Sequence, residues 1–564
     1  MDTPPPGILD DPDGPIVGGP AQLPILSLNP EQLPAYETSR RPPEWAVRLG
    51  VLFLGCALFL PNLGSFGLWD PWETHYGEVT RYMIETGDWV HPWWGYKGEQ
   101  LGGEKGPGEH FYSKPILLFW MEAATIRAIG LTELAIRLPV AFIAILAMFC
   151  VYYAFSKLLG RPRGFMAALV LATCPQFYML ARQSQTDMPF VGNLTIAMSF
   201  FALALFGPRQ KTSDRRMWMV LTLTLLALAA MIFPQLGIVI ADVNHEVPPN
   251  PDGTPGGLWA MWQHTGWMQA VTFLALMGAV LLSIMAPIAK HLRDNGQLTD
   301  GYKDQLRRRC YLWMFYAFCG IAMMGKGLLG FMLPGAVIFI YLAITNEWTL
   351  LVQPVGSGDQ RTVRGRAELI RGIAIFCCVA LPWYVALLAG PEGKAFWNRF
   401  FIHDHFNRLG TGVHAIDDGT FEHFLKWLGI GIWPWIAFMP LALVPLARHR
   451  LKDKTPEARL RLFLFLWFFV AFCLFTMSST KFHHYIFPAL PPLAILIAWG
   501  LHDVLSDRTL LSRAGIAFGL LLFVVLAWDI RQNPQHLRNL FTYKYDREYP
   551  ADNERPIDRD EKIQ

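Results

Sequence analysis

The sequence predicts an all-α, polytopic membrane protein. Of its 564 residues, 53% are hydrophobic and only 16% charged, against about a quarter charged in a soluble domain. The apolar residues gather in repeated runs of about 17–24, the length that crosses a bilayer core. Between the runs, Lys and Arg crowd into alternate loops, the asymmetry that sets orientation in a membrane.

From the N-terminus, residues 1–43 hold eleven prolines and no apolar period, and are expected to form a disordered cytoplasmic tail. The run 46–64 follows Arg40, Arg41 and Arg48 and ends without a small-residue cleavage site. It reads as an uncleaved first span with a cytoplasmic N-terminus. Further spans are expected near 138–157, 164–180, 190–206, 217–240, 267–289, 310–325, 328–345, 369–389, 429–447, 461–478, 485–502 and 514–530. That makes thirteen, within a transmembrane domain of 44–530. The apolar run 115–130 is left out of the count. Including it would place Lys157, Arg161 and Arg163 outside and reverse every later loop. Leaving it out puts all the basic loops inside, among them 209–216, 303–309, 361–371 and 448–454. Residues 115–130 are therefore expected as an amphipathic or re-entrant helix at the outer face. The outer face then receives the first loop 65–137, the second loop 181–189, a turn-rich insert at 241–266, the loop 390–428, a tight turn at 479–484 and a short tail, 531–564.

Several function classes are excluded. A net charge of +3 is too small to suggest a nucleic-acid partner. The eight cysteines lie within or at the edges of apolar runs, which argues against a disulfide framework or a thiolate metal site. There is no Gly-rich phosphate loop and no dinucleotide-binding unit.

The polar residues that stand out fall on the outer face. LWDPWETHYGEVTRYM opens the first loop with Asp70, Glu73 and His75 directly after a span, in a setting rich in aromatics. Lys114, in FYSKPILLFW, is placed to hold a lipid-linked phosphate as a compact charge at headgroup level. Asp187, in ARQSQTDMPF, heads a span, where a carboxylate is costly without a partner or a task, and Arg182 is the nearby partner. Lys326 fills the short turn GKG. His403, His405 and Arg408 lie in FFIHDHFNRLG, and Lys481 and Tyr485 in STKFHHYIFP. Carboxylates, cations and aromatics on one membrane face match the needs of a sugar-phosphate reaction.

Across LWDPWETHYGEVTRYMIETGDWVHPWW, FYSKPILLFW, ELAIRLPVAF, ARQSQTDMPF, MGKGLLGFMLPG, FFIHDHFNRLG and SSTKFHHYIFPALPPLAIL, in that order, the chain resembles the GT-C membrane glycosyltransferases. The likeness is to the superfamily of protein O-mannosyltransferases and lipid A aminoarabinose transferases, in its bacterial form. It implies about thirteen spans with juxtamembrane helices in the first outer loop, a polyprenyl-phosphate sugar donor, and inversion at the sugar. It implies acidic residues at Asp70 or Glu73 and at Asp187, with Lys114 at the donor phosphate and His405, Arg408 and Lys481 lining the cavity. Trp72-Glu73 stands where the family has an adjacent Asp-Glu pair, so either Asp70 or Glu73 inherits the first role. His75 replaces a family arginine, and Ser113 an acid that precedes the lysine. A metal site like that of the aminoarabinose transferases is therefore not carried over, although a divalent ion could assist the phosphate.

The expectation is a hexosyl- or pentosyltransferase of the inner cell membrane, acting on its outer face. A carboxylate would take the acceptor proton while Lys114, helped by Arg408 or Lys481, stabilises the departing polyprenyl phosphate. The acceptor is a lipid, a glycan or a protein. The rival class, a transporter or flippase of lipid-linked substrates, would place its charges near the bilayer midplane on broken, repeated helices.

Overall fold

In the computed structural model, residues 42–69, 72–94, 108–348, 364–407, 421–448, 455–478, 481–507 and 509–534 are described. The chain divides into two units, Met1–Val47 and Arg48–Gln564. Of the N-terminal tail only Pro42 and Pro43 are described, so that expectation lies outside the described residues, as does nearly all of 531–564.

The described chain is helical apart from one small hairpin. In order come α1 (Glu44–Phe59), α2 (Trp72–Thr86), β1 (Trp93–Trp94), β2 (Glu109–His110), α3 (Leu117–Ile129), α4 (Glu133–Leu159), α5 (Arg161–Thr173), α6 (Pro175–Leu180), α7 (Asp187–Phe206) and α8 (Asp214–Asp242). Then follow α9 (Leu258–His264), α10 (Gly266–Asn295), α11 (Asp300–Lys326), α12 (Leu329–Thr345), α13 (Arg364–Ala389) and α14 (Gly393–Phe396), which runs into a π-helical segment, Trp397–Asn407. The chain closes with α15 (Phe421–Ile432), α16 (Met439–Arg448), α17 (Pro456–Met477), a 3₁₀ turn at His483–Ala489, α18 (Leu490–Ser506) and α19 (Leu510–Gln532).

Eight helices among the described residues are long and apolar enough to cross a bilayer, or nine if one bent pair is a single span. The remaining expected spans coincide with helices that are shorter, broken or charged. The run 164–180 is split at Cys174, where Pro175 starts α6. Arg307, Arg308 and Arg309 occupy the first half of α11. The run 429–447 is two helices bent by 105°, because Pro434 cannot continue the first. α1 stops at Phe59 rather than at 64, with Pro61 two residues on and Asn62 at φ 56°.

α3 has 13 residues, about 20 Å at 1.5 Å per residue and short of the ~30 Å hydrocarbon core. It packs on α2 and on the start of α4. The two helices of the first loop therefore pack on each other, and α3 joins them to α4. α11 is the central strut, lying along α7 on one side and α13 on another. Its Trp313 and Ala317 join α8, α10 and α13 in one apolar core.

The first loop touches the end of α8, α13 and the stretch before the 3₁₀ turn. Trp89 N–H donates to Asp242 Oδ2 at 2.8 Å, and Trp383 Nε1–H to the Val90 carbonyl at 2.9 Å. The Trp72 and Phe482 rings lie 6.2 Å apart.

Candidate active site

Asp187 is the first residue of α7, 4% exposed. Its carboxylate receives Lys326 Nζ at 2.5 Å, and His484 Nε2 lies 3.8 Å from its other oxygen. The expected partner, Arg182, is elsewhere: its guanidinium caps the end of α1, donating to the Phe59 carbonyl at 3.1 Å and the Pro61 carbonyl at 2.7 Å. Those exposed helix-end carbonyls need donors, and they take the arginine that stands nearest in sequence to Asp187.

Lys326 is delivered by two glycines. A side chain at Gly325 would meet the backbone of Pro189 and Phe190 at 2.8–2.9 Å, so α11 and α7 approach there as only glycine allows. Gly327 turns the chain at φ 91°, a conformation that disfavours side chains. Lys326 Nζ also sits 4.8 Å from the centre of the Tyr485 ring, within cation–π range.

His405 stands on the other side of this turn. Its Nδ1 bonds the Phe400 carbonyl at 2.7 Å and its Nε2 accepts from Leu328 N–H at 3.3 Å. It serves as a strut for the GKG turn. Lys114 is half-buried, with Nζ 3.2 Å from the Ser113 carbonyl. Lys326 pairs with Asp187, His484 and Tyr485 flank that pair, and the charges of Lys326 and Lys114 both reach His484, so residues from four distant stretches lie near one another. The charge of Lys481 reaches His423 on α15. His75 packs on Trp94, ring centres 4.4 Å apart. Asp70 and Arg408 lie outside the described residues.

Glu73 is fully buried in a closed network. It takes a bidentate pair from Arg137, Nε at 2.9 Å and Nη2 at 2.7 Å, and backbone N–H groups from Trp69 at 2.8 Å and Ser184 at 2.7 Å. Arg137 also bonds the carbonyls of Leu63, Phe66 and Gly67. Sequence reasoning missed Arg137, although an arginine inside the apolar ELAIRLPVAF is costly without a partner and was itself the signal. It also missed Glu122, a carboxylate in the middle of LLFWMEAATIRAI. Glu122 is buried and bonded by the hydroxyls of Thr80 and Ser184. Among the described residues no group of three or more His, Cys, Asp or Glu is placed to hold a metal ion.

The helical bundle defines the class: a multi-pass membrane protein of the GT-C fold. The solved neighbours agree. The crystal structure of ArnT from Cupriavidus metallidurans bound to undecaprenyl phosphate aligns with a TM-score of 0.53 at 18% identity, over 88% of this chain and 73% of that one. Its apo form gives 0.52 at 20% identity, over 81% and 59%. Residues 113–243 match the family model described as dolichyl-phosphate-mannose-protein mannosyltransferase. Curated relatives include undecaprenyl phosphate-alpha-4-amino-4-deoxy-L-arabinose arabinosyl transferase 1 of Pseudomonas fluorescens, 23% identical over 82% of this chain and 59% of its own length. The arabinosyl transferase of that kind from Aeromonas hydrophila is 25% identical over 86% and 65%. The chain thus spans about three fifths of the length of the curated relatives it matches.

Proposed function

We propose that this protein is a glycosyltransferase that moves a sugar from a polyprenyl-phosphate donor to an acceptor, at the non-cytoplasmic face of the cell membrane. The observation that carries this reading is the meeting of Asp187, Lys326 and His484 with Lys114, from four separate stretches of chain, at one end of the bundle. Undecaprenyl phosphate is the lipid named for the curated relatives and bound in the ArnT structure, and it is the donor carrier we assign here.

The reaction is a single displacement. Asp187 takes the proton of the acceptor hydroxyl as the new bond to the anomeric carbon forms. The old bond from that carbon to the phosphate oxygen breaks, its electron pair stays on the phosphate, and the configuration inverts. Lys114 stabilises the charge that develops there, with Arg408 or Lys481 as the further cation. Lys326 holds the Asp187 carboxylate in place. Glu73 organises the first and second loops rather than reacting, since each of its acceptor sites is already filled, and Asp70 is the alternative first-loop acid. A transporter would carry such charges near the midplane on helix breaks, whereas Asp187 and Lys326 stand at helix ends.

The test is Asp187→Asn in purified, normally expressed protein, assayed for sugar transfer from a polyprenyl-phosphate donor. Loss of about 10²–10⁴-fold, the usual worth of a general base, supports the assignment. Full activity removes Asp187 from the chemistry.

A further inference from the structure

The segment that leads into Asp187 is gripped from two sides at one residue. Ser184 gives its backbone N–H to Glu73 at 2.7 Å and its hydroxyl to Glu122. Glu122 projects from the middle of α3 and is entirely buried. No ion pair reaches it among the described residues. Its other oxygen lies 2.5 Å from Thr80 Oγ1 on α2, and the same hydroxyl lies 3.0 Å from the Tyr76 carbonyl. One hydroxyl carries one proton, and sharing it between two acceptors weakens both bonds. Both contacts are satisfied together when the carboxyl itself carries a proton.

We propose that Glu122 is a positioning residue for the transfer reaction: a neutral carboxyl clasped between Thr80 and Ser184 that ties both juxtamembrane helices to the 181–186 segment and so aims Asp187. The proposal rests on the reading of Asp187 as the base.

Burial, with the charge of Glu73 as a lesser contribution, pushes the Glu122 carboxyl up to about 8. Below that pH the clasp is closed. Above it the proton leaves, one donor is lost, and a second negative charge appears beside Glu73 in a site with one arginine. The Ser184 anchor then loosens. A displacement of about 1 Å at a reacting group costs on the order of 10²-fold in rate, so the effect reads out in kcat, whereas donor affinity, set by Lys114, moves little.

The experiment measures transfer by the full-length protein in lipid over roughly pH 6–10, a span covering both sides of the expected titration. Wild type is expected to slow as pH rises through about 8. In Glu122→Gln the amide donates to Thr80 and accepts from Ser184 without titrating. That variant should keep most of its neutral-pH rate and lose the alkaline fall. Ser184→Ala should lower kcat with KM for the donor nearly unchanged. Independently of activity, the protonated-carboxyl infrared band should fall in intensity from wild type to Glu122→Gln at neutral pH. A Glu122→Gln enzyme with the wild-type alkaline fall, or with an unchanged infrared band, overturns the proposal and leaves Asp187 untouched. A fully active Asp187→Asn that retains the alkaline fall sinks the base assignment instead, and the clasp would have to act on another group.

Discussion

At the scale of single residues, the strongest determinant is the pair Glu73–Arg137, with neither side chain exposed. Such a pair adds little over a well-packed apolar one, but removing one partner strands a buried charge, at a cost of about 3–5 kcal/mol. Arg137→Met and Glu73→Gln should each lower the unfolding temperature of the purified protein sharply, and the double variant should recover part of the loss. Additive losses in that cycle would show that the two do not depend on each other. The same pair shows where the sequence stops being legible. That Glu73 matters was readable, and an arginine within an apolar run was a readable anomaly. Their pairing, 64 positions apart, was not. Asp187 failed differently. Its nominated partner stands five positions away in the sequence, but Arg182 is claimed by helix-end carbonyls, and the true partner is 139 positions on. Proximity along the chain says little in a fold whose helices each leave the site and return.

At the scale of elements, spans were readable because apolar length is a local property, while breaks depended on single prolines. Lys326 was visible as a lysine in a tight turn; why that turn is GKG was not. The structure supplies the reason: Gly325 lets α11 touch α7, and a side chain at Gly327 would fall 2.4 Å from His405 Nε2. Gly325→Ala should push α11 off α7 and carry Lys326 from Asp187, slowing transfer by about 10²-fold with the bundle still folded. Gly327→Ala, with its added backbone strain of about 1–3 kcal/mol, should also lower thermal stability. A kinetic assay beside a melting curve separates the two. The first-loop hairpin has its own sensitivity. His91 stands 6.3 Å from His110 and 6.1 Å from His245, which in turn stands 6.3 Å from His264; Asp88, Asp242 and Glu392 are the acids nearby. Burial first, then the His91 charge, holds His245 below the usual imidazole value; burial first also lowers His110, although Glu392 opposes it. The unfolded segment therefore binds protons first as pH falls below about 6.5, and stability is lost with it. Hydrogen-exchange protection across 88–94 and 244–265, taken relative to the intrinsic rate at each pH, should fall at acid pH, and His91→Asn should blunt the change.

At the scale of the whole molecule, two ends of the helical unit carry different charge chemistry. The end opposite the pocket is basic, and several of its cations are held by acids: Arg307 and Arg308 on Asp304, Arg309 and Arg371 on Glu368, Arg163 and Arg461 on Asp503. Positive charge near short loops marks the cytoplasmic side, and on that rule we propose that the pocket lies outside. The inference hangs on one decision, whether 115–130 crosses the membrane, because an extra crossing reverses every later loop. The 13-residue length of α3 and its packing on α2 argue that it does not. Cysteine labelling tests the point directly. None of the eight native cysteines is exposed, so the background is low. Thr254, at the tip of the insert, and Arg215, in the basic first turn of α8, are both exposed. A membrane-impermeant maleimide should label Thr254→Cys in intact cells, and Arg215→Cys only after permeabilisation. The reverse pattern would move Lys114, Asp187 and Lys326 to the cytoplasmic side together, and a donor presented at the outer leaflet could no longer reach them.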